Sequence, residues 1–493
     1  MPDATPAMLR VHDADGVAVA LRPLEAGFSA MGVTLVQDVP QGHKVALRAH
    51  GRGEMVIKYG QPIGRASTAI ASGAHVHTHN LSTALSGELC YARSGATSIP
   101  QPHASSLTWQ GYARADGRAA TRNEIWILPT VGCVGMTAEQ VARAATERHS
   151  DAIDGIHAFS HPHGCSQLGD DLSGTRALLA GLAANPNAAG VLLLGLGCES
   201  NQLEALMEEV PDAARGKVRL LSSQTAGDEL AMAGALIDEL VEQARAAKRT
   251  ELPLSALTVG LKCGGSDGFS GLTANPLLGR FTDTLAASGG RAMLTEIPEI
   301  FGAEQALLDR ASDEAVFESA ACLVNRFKRY YLEQGLPVSE NPSPGNLAGG
   351  ITTLEEKSLG AVQKGGNAQL VDVIDYGGQA SLAGLTLLES PGNDAVSSSA
   401  LAAAGATMVL FTTGRGTPLG FPVPTLKVAS NHALAQAKPH WIDFDASLAL
   451  RAGNAAADAD FLNRIIAIAS GEPCAAERGG QRAIAIWKRG VTL

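Results

Sequence analysis

Four of the seven cysteines in this sequence stand just past short apolar runs that read as strands. Cys133 follows Ile125–Leu128, Cys165 follows the run ending at Phe159, Cys198 follows Val191–Leu194, and Cys263 follows Val259–Leu261. Each lies beside glycine and polar residues. Thiolates so placed are soft ligands for iron or for an iron–sulfur cluster, and the Cys-x-x-Cys spacing of zinc and ferredoxin sites is absent. Any metal would then draw ligands from scattered loops; small buried thiols are the plainer alternative. Harder donors accompany them. Glu199 follows Cys198, Asp267 lies four residues past Cys263, Glu296 ends a run at 292–295, and His161 and His163 precede Cys165. Fe²⁺ or Mn²⁺ would favour those oxygen and nitrogen donors. The expected metal ligands are therefore Cys133, Cys165, Cys198, Cys263, Glu199 and His163.

Glycine-rich loops form a second group. The segment from Gly264 through Ser266, Asp267 and Asn275 is dense in backbone donors and hydroxyls, which makes an anion nest where a strand turns into a helix. It lacks both the GxGxxG order and a Walker ending, so nucleotide binding is a weak reading. Ser343–Asn346, Ser390–Asp394 and Thr413–Pro418 repeat the theme. Ser266, Asn275, Asn346 and Asn393 are expected to bind substrate, and Arg415 to grip a carboxylate with its planar fork. Lys357 and Lys364 are seven residues apart, on one face if that segment is helical, and with Asp267 are candidates for proton transfer; solvent is the usual fate of a lysine. His75, His77 and His79 alternate, so a strand would project three imidazoles from one face, for a metal or a proton.

The elements that must position these residues are α/β. Residues 1–85 read as a small β-rich unit with short runs such as Gly16–Leu21 and Met55–Tyr59, and 86–108 as a linker. From Trp109 strands alternate with helices: a strand at Ile125–Leu128, a helix at 137–148, a strand at 153–159, a helix at 174–184, a strand at Val191–Leu194 and a long helix at 228–248. A second series begins at Leu257, with strands near 292–294, 370–374, 385–388 and 408–411. Such alternation predicts parallel, doubly wound sheets whose ligands gather beyond the C-terminal strand ends. The division is 109–250 and 251–493. With 49 acidic against 38 basic residues the net charge is −11, which argues against nucleic-acid binding. No apolar run approaches the roughly 20 residues of a membrane span, and no signal peptide is visible, so the expectation is a cytoplasmic enzyme. Cys90, Cys322 and Cys474 fall outside the site, in a linker, a helix and a tail.

Several stretches resemble the altronate/galactarate dehydratase family: 111–118 with Thr121-Arg122-Asn123, Leu196–Gln202, Cys263–Asp267 through Thr273–Pro276, Asn341–Asn346 and Thr413–Pro418. The likeness runs in order over nearly the whole chain. Residues 8–85, with Gln41–Lys44 and Lys58–Gly64, resemble that family's SAF (β-clip) domain. His75–Asn80, His161–Asp171 and Trp441–Asp445 resemble the branch acting on altronate. Leu347 departs from the pattern, which usually has Lys there. The resemblance implies a β-clip domain, a linker, a second domain associated with homodimerisation and a Rossmann-like C-terminal domain. It also implies dehydration of D-altronate to 2-dehydro-3-deoxy-D-gluconate, aided by Fe²⁺ or Mn²⁺. The β-clip unit is expected to reach the active site through His77 or a neighbour, because a row of imidazoles serves no stability of its own.

Overall fold

The computed structural model describes residues 6–93, 106–149 and 151–493. At the N-terminus, the antiparallel strands Met8–Leu9, Val17–Ala20, Lys44–Ala46 and His75–Val76 form one small sheet. Met55–Lys58, Gln61–Ala66 and Leu81–Ser82 form another. The hairpin between Lys58 and Gln61 turns through Tyr59 (φ 59°) and Gly60 (φ 72°). Two successive positive φ values are the type I′ geometry that matches strand twist. The turn delivers Tyr59 against Gly271, where a Cβ would come within 2.3 Å of the Tyr59 hydroxyl.

The predicted linker is a strap where it is described. Residues 86–93 run along the helix Glu314–Glu333: Leu89 N–H donates to Asn325 Oδ1 (3.2 Å), Asn325 Nδ2 returns a bond to Leu89 O (2.8 Å), and Lys328 donates to Tyr91 (2.9 Å). The rest of that expectation, residues 94–105, lies outside the described residues.

Beyond it lies a four-stranded parallel sheet in the order Gly155–Ala158, Glu124–Pro129, Ala188–Gly195, Val218–Ser222. Alternation along its central strand serves two cores. Ile125 and Ile127 pack with the helices Gly135–His149 and Glu229–Ala244, while Trp126 and Leu128 join the large core on the opposite face. That is the pattern of a sheet covered on both sides. The helix predicted over 228–248 starts at Glu229 because Asp228 caps it, accepting from Ala231 N–H.

The C-terminal sheet has seven parallel strands: Leu370–Ile374, Gly384–Leu388, Arg291–Leu294, Thr258–Cys263, Met408–Thr413, Thr425–Ala429, Phe444–Asp445 in spatial order. The sheet's first strand in sequence, Thr258–Cys263, is central, and the chain adds strands on one side before crossing to the other. The switch point therefore falls between Cys263 and Thr413, where doubly wound sheets open a crevice. Cys474, expected in the C-terminal tail, is fully buried in the core. Among the described residues no helix is long and apolar enough to cross a membrane.

Candidate active site

Lys262 is the fifth residue of a six-residue strand that is buried throughout. A lysine there needs partners, since a buried charge is tolerated only when paired. Its ammonium donates to Glu296 and to Asp394 Oδ1 (2.9 Å). Lys364 donates to Cys263 Sγ (2.7 Å) and to Glu296 Oε2 (3.2 Å). Lys357 donates to Glu299 Oε1 (2.7 Å) and to Asn341 Oδ1 (3.0 Å). Glu296 adopts φ 68°, ψ 57°, a left-handed backbone that costs a non-glycine residue strain and turns the chain so that Glu296 and Glu299 face one cluster. Three ammonium groups thus balance the three carboxylates.

Burial pushes the Cys263 thiol up to about 12, reinforced by the charge of Glu296. Burial, opposed by Lys262, also raises Glu296, whose neighbour Glu299 adds like-charge repulsion. Burial acts upward on Glu299 too, yet Lys357 foremost holds it down at about 2. Burial acts to lower both lysines, and the acidic groups outweigh it, so Lys357 and Lys364 keep their protons more firmly than an ordinary lysine.

The cluster opens on a cavity of about 380 Å³ lined by Glu299, Lys357, Asp394, Asn341, Asn346 and the Gly264-Gly265 turn. Arg415 is exposed beside it: a Cβ on Gly265 or Gly345 would meet its side chain at 3.5 Å. A larger cleft of about 860 Å³ lies elsewhere, lined by Arg122, Arg143, His157, Arg478 and Arg482. Two of those arginines are spent on ion pairs, Arg122 with Glu477 and Arg482 with Glu124, both at 2.8 Å. Its lining holds no such grouping of lysine and carboxylate beside a thiol, so the smaller cavity is the candidate site.

The N-terminal unit docks directly behind this cavity. Lys44 donates to Glu356 Oε2, Gly350 O and Thr352 Oγ1, each at 2.8 Å, and Lys58 donates to Glu356 Oε1 at 2.7 Å. Glu356 precedes Lys357 on the helix Leu354–Ala361. Burial would raise Glu356, and the two ammonium groups hold it at about 2; burial in turn drags Lys44 down to about 8.

His77 Nδ1 meets Thr352 Oγ1 (2.9 Å), and His43 Nδ1 meets His75 Nε2 (3.0 Å). The expected strand bearing three histidines is only His75–Val76, because the backbone turns at His77, whose carbonyl accepts from Asn80 and Leu81. The rings still gather, with centroids 5.5 Å apart for His75–His77 and 5.4 Å for His75–His79. Desolvation, then neighbouring imidazoles, lowers His75 to about 3; desolvation, then Lys44, lowers His77 to about 4. Unfolded histidine binds its proton near 6.5, so below that pH the unfolded chain takes up protons that the folded chain refuses. Stability is fully present above about 6.5 and falls as the pH drops toward 4. We expect the thermal midpoint to decline between pH 6.5 and 5 and the decline to be shallower in His75→Asn; a flat profile in the parent chain would exclude this.

The expected metal set divides in space. Cys263 lies in the C-terminal cluster, whereas Cys133, Cys165, Cys198, Glu199 and His163 lie on the second domain's sheet. Glu199 is a loop brace: it accepts from Thr130 Oγ1 (2.5 Å), Leu196 N–H (3.1 Å) and Gly197 N–H (2.6 Å). Asp267, a candidate for proton transfer, is likewise occupied. Its Oδ1 accepts from Phe269, Ser270 and Ser430, and its Oδ2 from Asn431, so it fixes the loop rather than facing the cavity. Asn275 is consumed between Gly360 O (3.0 Å) and Thr412 Oγ1 (2.7 Å). Asn346 donates to Ser266 O (2.8 Å) and forms a capping box with Ser343, while Asn393 caps the helix Asp394–Ala403. Asn346 and Asn393 still line the cavity, and Ser266 lines a smaller pocket beside Tyr59. Lys357 and Lys364 do converge, although the α-helix tightens to a 3₁₀ turn at Val362–Gly365 between them.

Sequence reasoning missed Lys262, Glu299, Asp394, His43, Lys44 and Glu356 as site residues. The available signal was lysine inside apolar runs, at Lys262 and Lys44.

Cys263, Glu296 and Glu299 each offer a ligand atom within 4.8 Å of the others, all buried. The two carboxylates are donors of the type that Fe²⁺ or Mn²⁺ takes, and of the two metals the softer sulfur suits Fe²⁺ better.

Residues 6–84 match the family model for the altronate/galactarate dehydratase SAF domain. Residues 111–245 match the D-galactarate dehydratase/altronate hydrolase second domain, and 254–492 the D-galactarate/altronate dehydratase C-terminal domain. The chain is 47% identical to altronate dehydratase of Bacillus subtilis (strain 168) and 48% identical to that of Escherichia coli (strain K12). Each alignment covers 98% of this chain and 99% of the relative. It is 32% identical to galactarate dehydratase (L-threo-forming) of Escherichia coli (strain K12), over 88% of this chain and 86% of that protein. The chain is thus an enzyme and belongs to the altronate/galactarate dehydratase family.

Proposed function

We propose that the chain dehydrates D-altronate to 2-dehydro-3-deoxy-D-gluconate at the Lys357–Glu299–Asp394 cavity. The observation that carries this is a polar space of about 380 Å³ with an ammonium, two carboxylates and a nearby guanidinium. A six-carbon polyhydroxy acid needs that mixture: cations for its carboxylate and acceptors for its hydroxyls.

The proton at C2 is weakly acidic, so the enediolate that forms needs strong charge stabilisation. Arg415 and the N–H of Gly265, which lines the cavity, hold the substrate carboxylate. Asp394, half-exposed on the cavity wall, takes the C2 proton. Lys357, kept as an ammonium by Glu299, donates to the 3-hydroxyl as it leaves, and the resulting enol tautomerises to the 2-keto acid. Cys263, Glu296 and Glu299 would hold Fe²⁺ or Mn²⁺, which when bound supplies Lewis-acid stabilisation of the carboxylate. Lys262 and Lys364 set the orientation of those donors. The homodimer implied by the family resemblance belongs to this reading and is checked by light scattering.

The test is anaerobic incubation of the purified chain with D-altronate or galactarate, with Fe²⁺ or Mn²⁺, reading the 2-keto-3-deoxy acid. Turnover of altronate well above galactarate is expected. If neither acid is dehydrated with either metal, the reading fails.

A further inference from the structure

Cys133, Cys165 and Cys198 follow three neighbouring parallel strands, Glu124–Pro129 between Gly155–Ala158 and Ala188–Gly195, so their loops open on the same side of the sheet. The loops are sewn together. Gly132 N–H donates to His163 O (2.9 Å), Asn201 N–H to Gly164 O (3.0 Å), and Asn201 Nδ2 to Thr130 O (3.2 Å). The packing needs glycine, since a Cβ on Gly164 would stand 2.0 Å from Thr130 O. Positive φ at Gly164 (101°), Ser166 (56°) and Gly197 (129°) brackets Cys165 and precedes Cys198. Strain of this kind persists where the surrounding structure enforces it, and it gathers at functional sites.

All three thiols are exposed on this braced rim, whereas Cys263 and Cys474 are buried. Cys90 and Cys322 are exposed as well, but Cys133, Cys165 and Cys198 gather past the C-terminal ends of three adjacent strands, which for a residue type most often buried calls for a reason. Gln224 Nε2 already lies 3.5 Å from Cys198 Sγ, an amide donor of the kind that supports a thiolate. A single tetrahedral ion would draw its sulfur ligands to about 3.8 Å of one another. Among the described residues only Cys263, Glu296 and Glu299 bring three ligand atoms within 4.8 Å, so the three exposed thiols stand wider than one ion requires. Neighbouring strands lie about 4.8 Å apart, so thiols carried on the loops of three adjacent strands suit a polynuclear ligand better than one ion.

We propose that Cys133, Cys165 and Cys198 form a three-thiolate site for an iron–sulfur cluster, separate from the Cys263 group and independent of the dehydration assigned above. Binding is ligand exchange without electron transfer. Each cysteine sulfur forms a bond to one iron, and the thiolate it displaces leaves with the cysteine's proton. The fourth iron keeps a ligand that is not a cysteine of this chain.

The experiment incubates the full chain anaerobically with a synthetic [4Fe–4S]²⁺ cluster carrying exchangeable thiolates, followed by gel filtration. The parent chain should retain about four irons and about four sulfides per chain, with a broad visible absorption. Cys133→Ser, Cys165→Ser and Cys198→Ser, singly and together, should retain less than about a tenth. Cys263→Ser and the pair Cys90→Ser and Cys322→Ser should retain the parent amount. Exposed serines leave the fold undisturbed, which circular dichroism checks. No retention by the parent chain, or equal retention by the folded triple variant, overturns the proposal. Loss in Cys263→Ser alone would move the cluster to the C-terminal site and overturn it equally.

Discussion

Replacing Lys357 by Met is expected to lower kcat by about 10³-fold, within the range seen when a positioned acid is lost. Its ammonium reaches Glu299 and Asn341 and lines the cavity, so it is the cluster's only lysine that faces both a carboxylate ligand and the substrate space. Lys262 and Lys364 sit deeper, against Cys263, Glu296 and the inner side of Asp394. Lys357→Arg should not restore the rate, because a guanidinium places its donors in a rigid fork and does not give up a proton. Methionine keeps the length and apolar stem, and Glu299 loses its nearest counter-charge while Lys262 and Lys364 remain. KM for altronate should change less than kcat, since Arg415 still grips the carboxylate. A kcat within about threefold of the parent would remove Lys357 from the proton-transfer step.

Glu356→Gln should cost about 3–5 kcal/mol of stability, the usual penalty when one partner of a buried ion pair is removed. The reason is arithmetic of charge: one carboxylate serves two wholly buried ammonium groups, Lys44 and Lys58, across the join between the N-terminal unit and the helix Leu354–Ala361. Set against a typical total of about 5–15 kcal/mol, that loss should undock the N-terminal unit and expose the strap to protease. Urea unfolding of Glu356→Gln measures the cost. The triple change Lys44→Met, Lys58→Met and Glu356→Leu should recover most of it, because a buried ion cluster replaced by apolar groups of similar volume is often neutral. A loss below about 1 kcal/mol in Glu356→Gln would mean the join is held by other contacts, such as Thr83 and Ala84 on Glu355.

Periodicity within a few residues was enough to read the elements that carry the site. Ile125–Leu128, Val191–Leu194 and Met408–Phe411 are continuous apolar runs, and each lies in a strand buried on both faces. The cysteines and glycines beyond them were legible as strand-end loops for the same local reason. Tertiary structure alone decided which loops meet. Four cysteines with the same local setting proved to belong to two sheets, because strand order is set by crossover connections and not by anything within a loop. Glu299 and Asp394 look like ordinary helix-start acids in the sequence, and Lys262 looks like a strand terminus. They became a site when folding removed water and left each charge only the others as partners. Asp267 shows the converse: an acid in a promising loop whose lone pairs the fold spent on five donors. Hydrophobic pattern is a property of neighbours in sequence, whereas the pairing of buried charges is a property of neighbours in space.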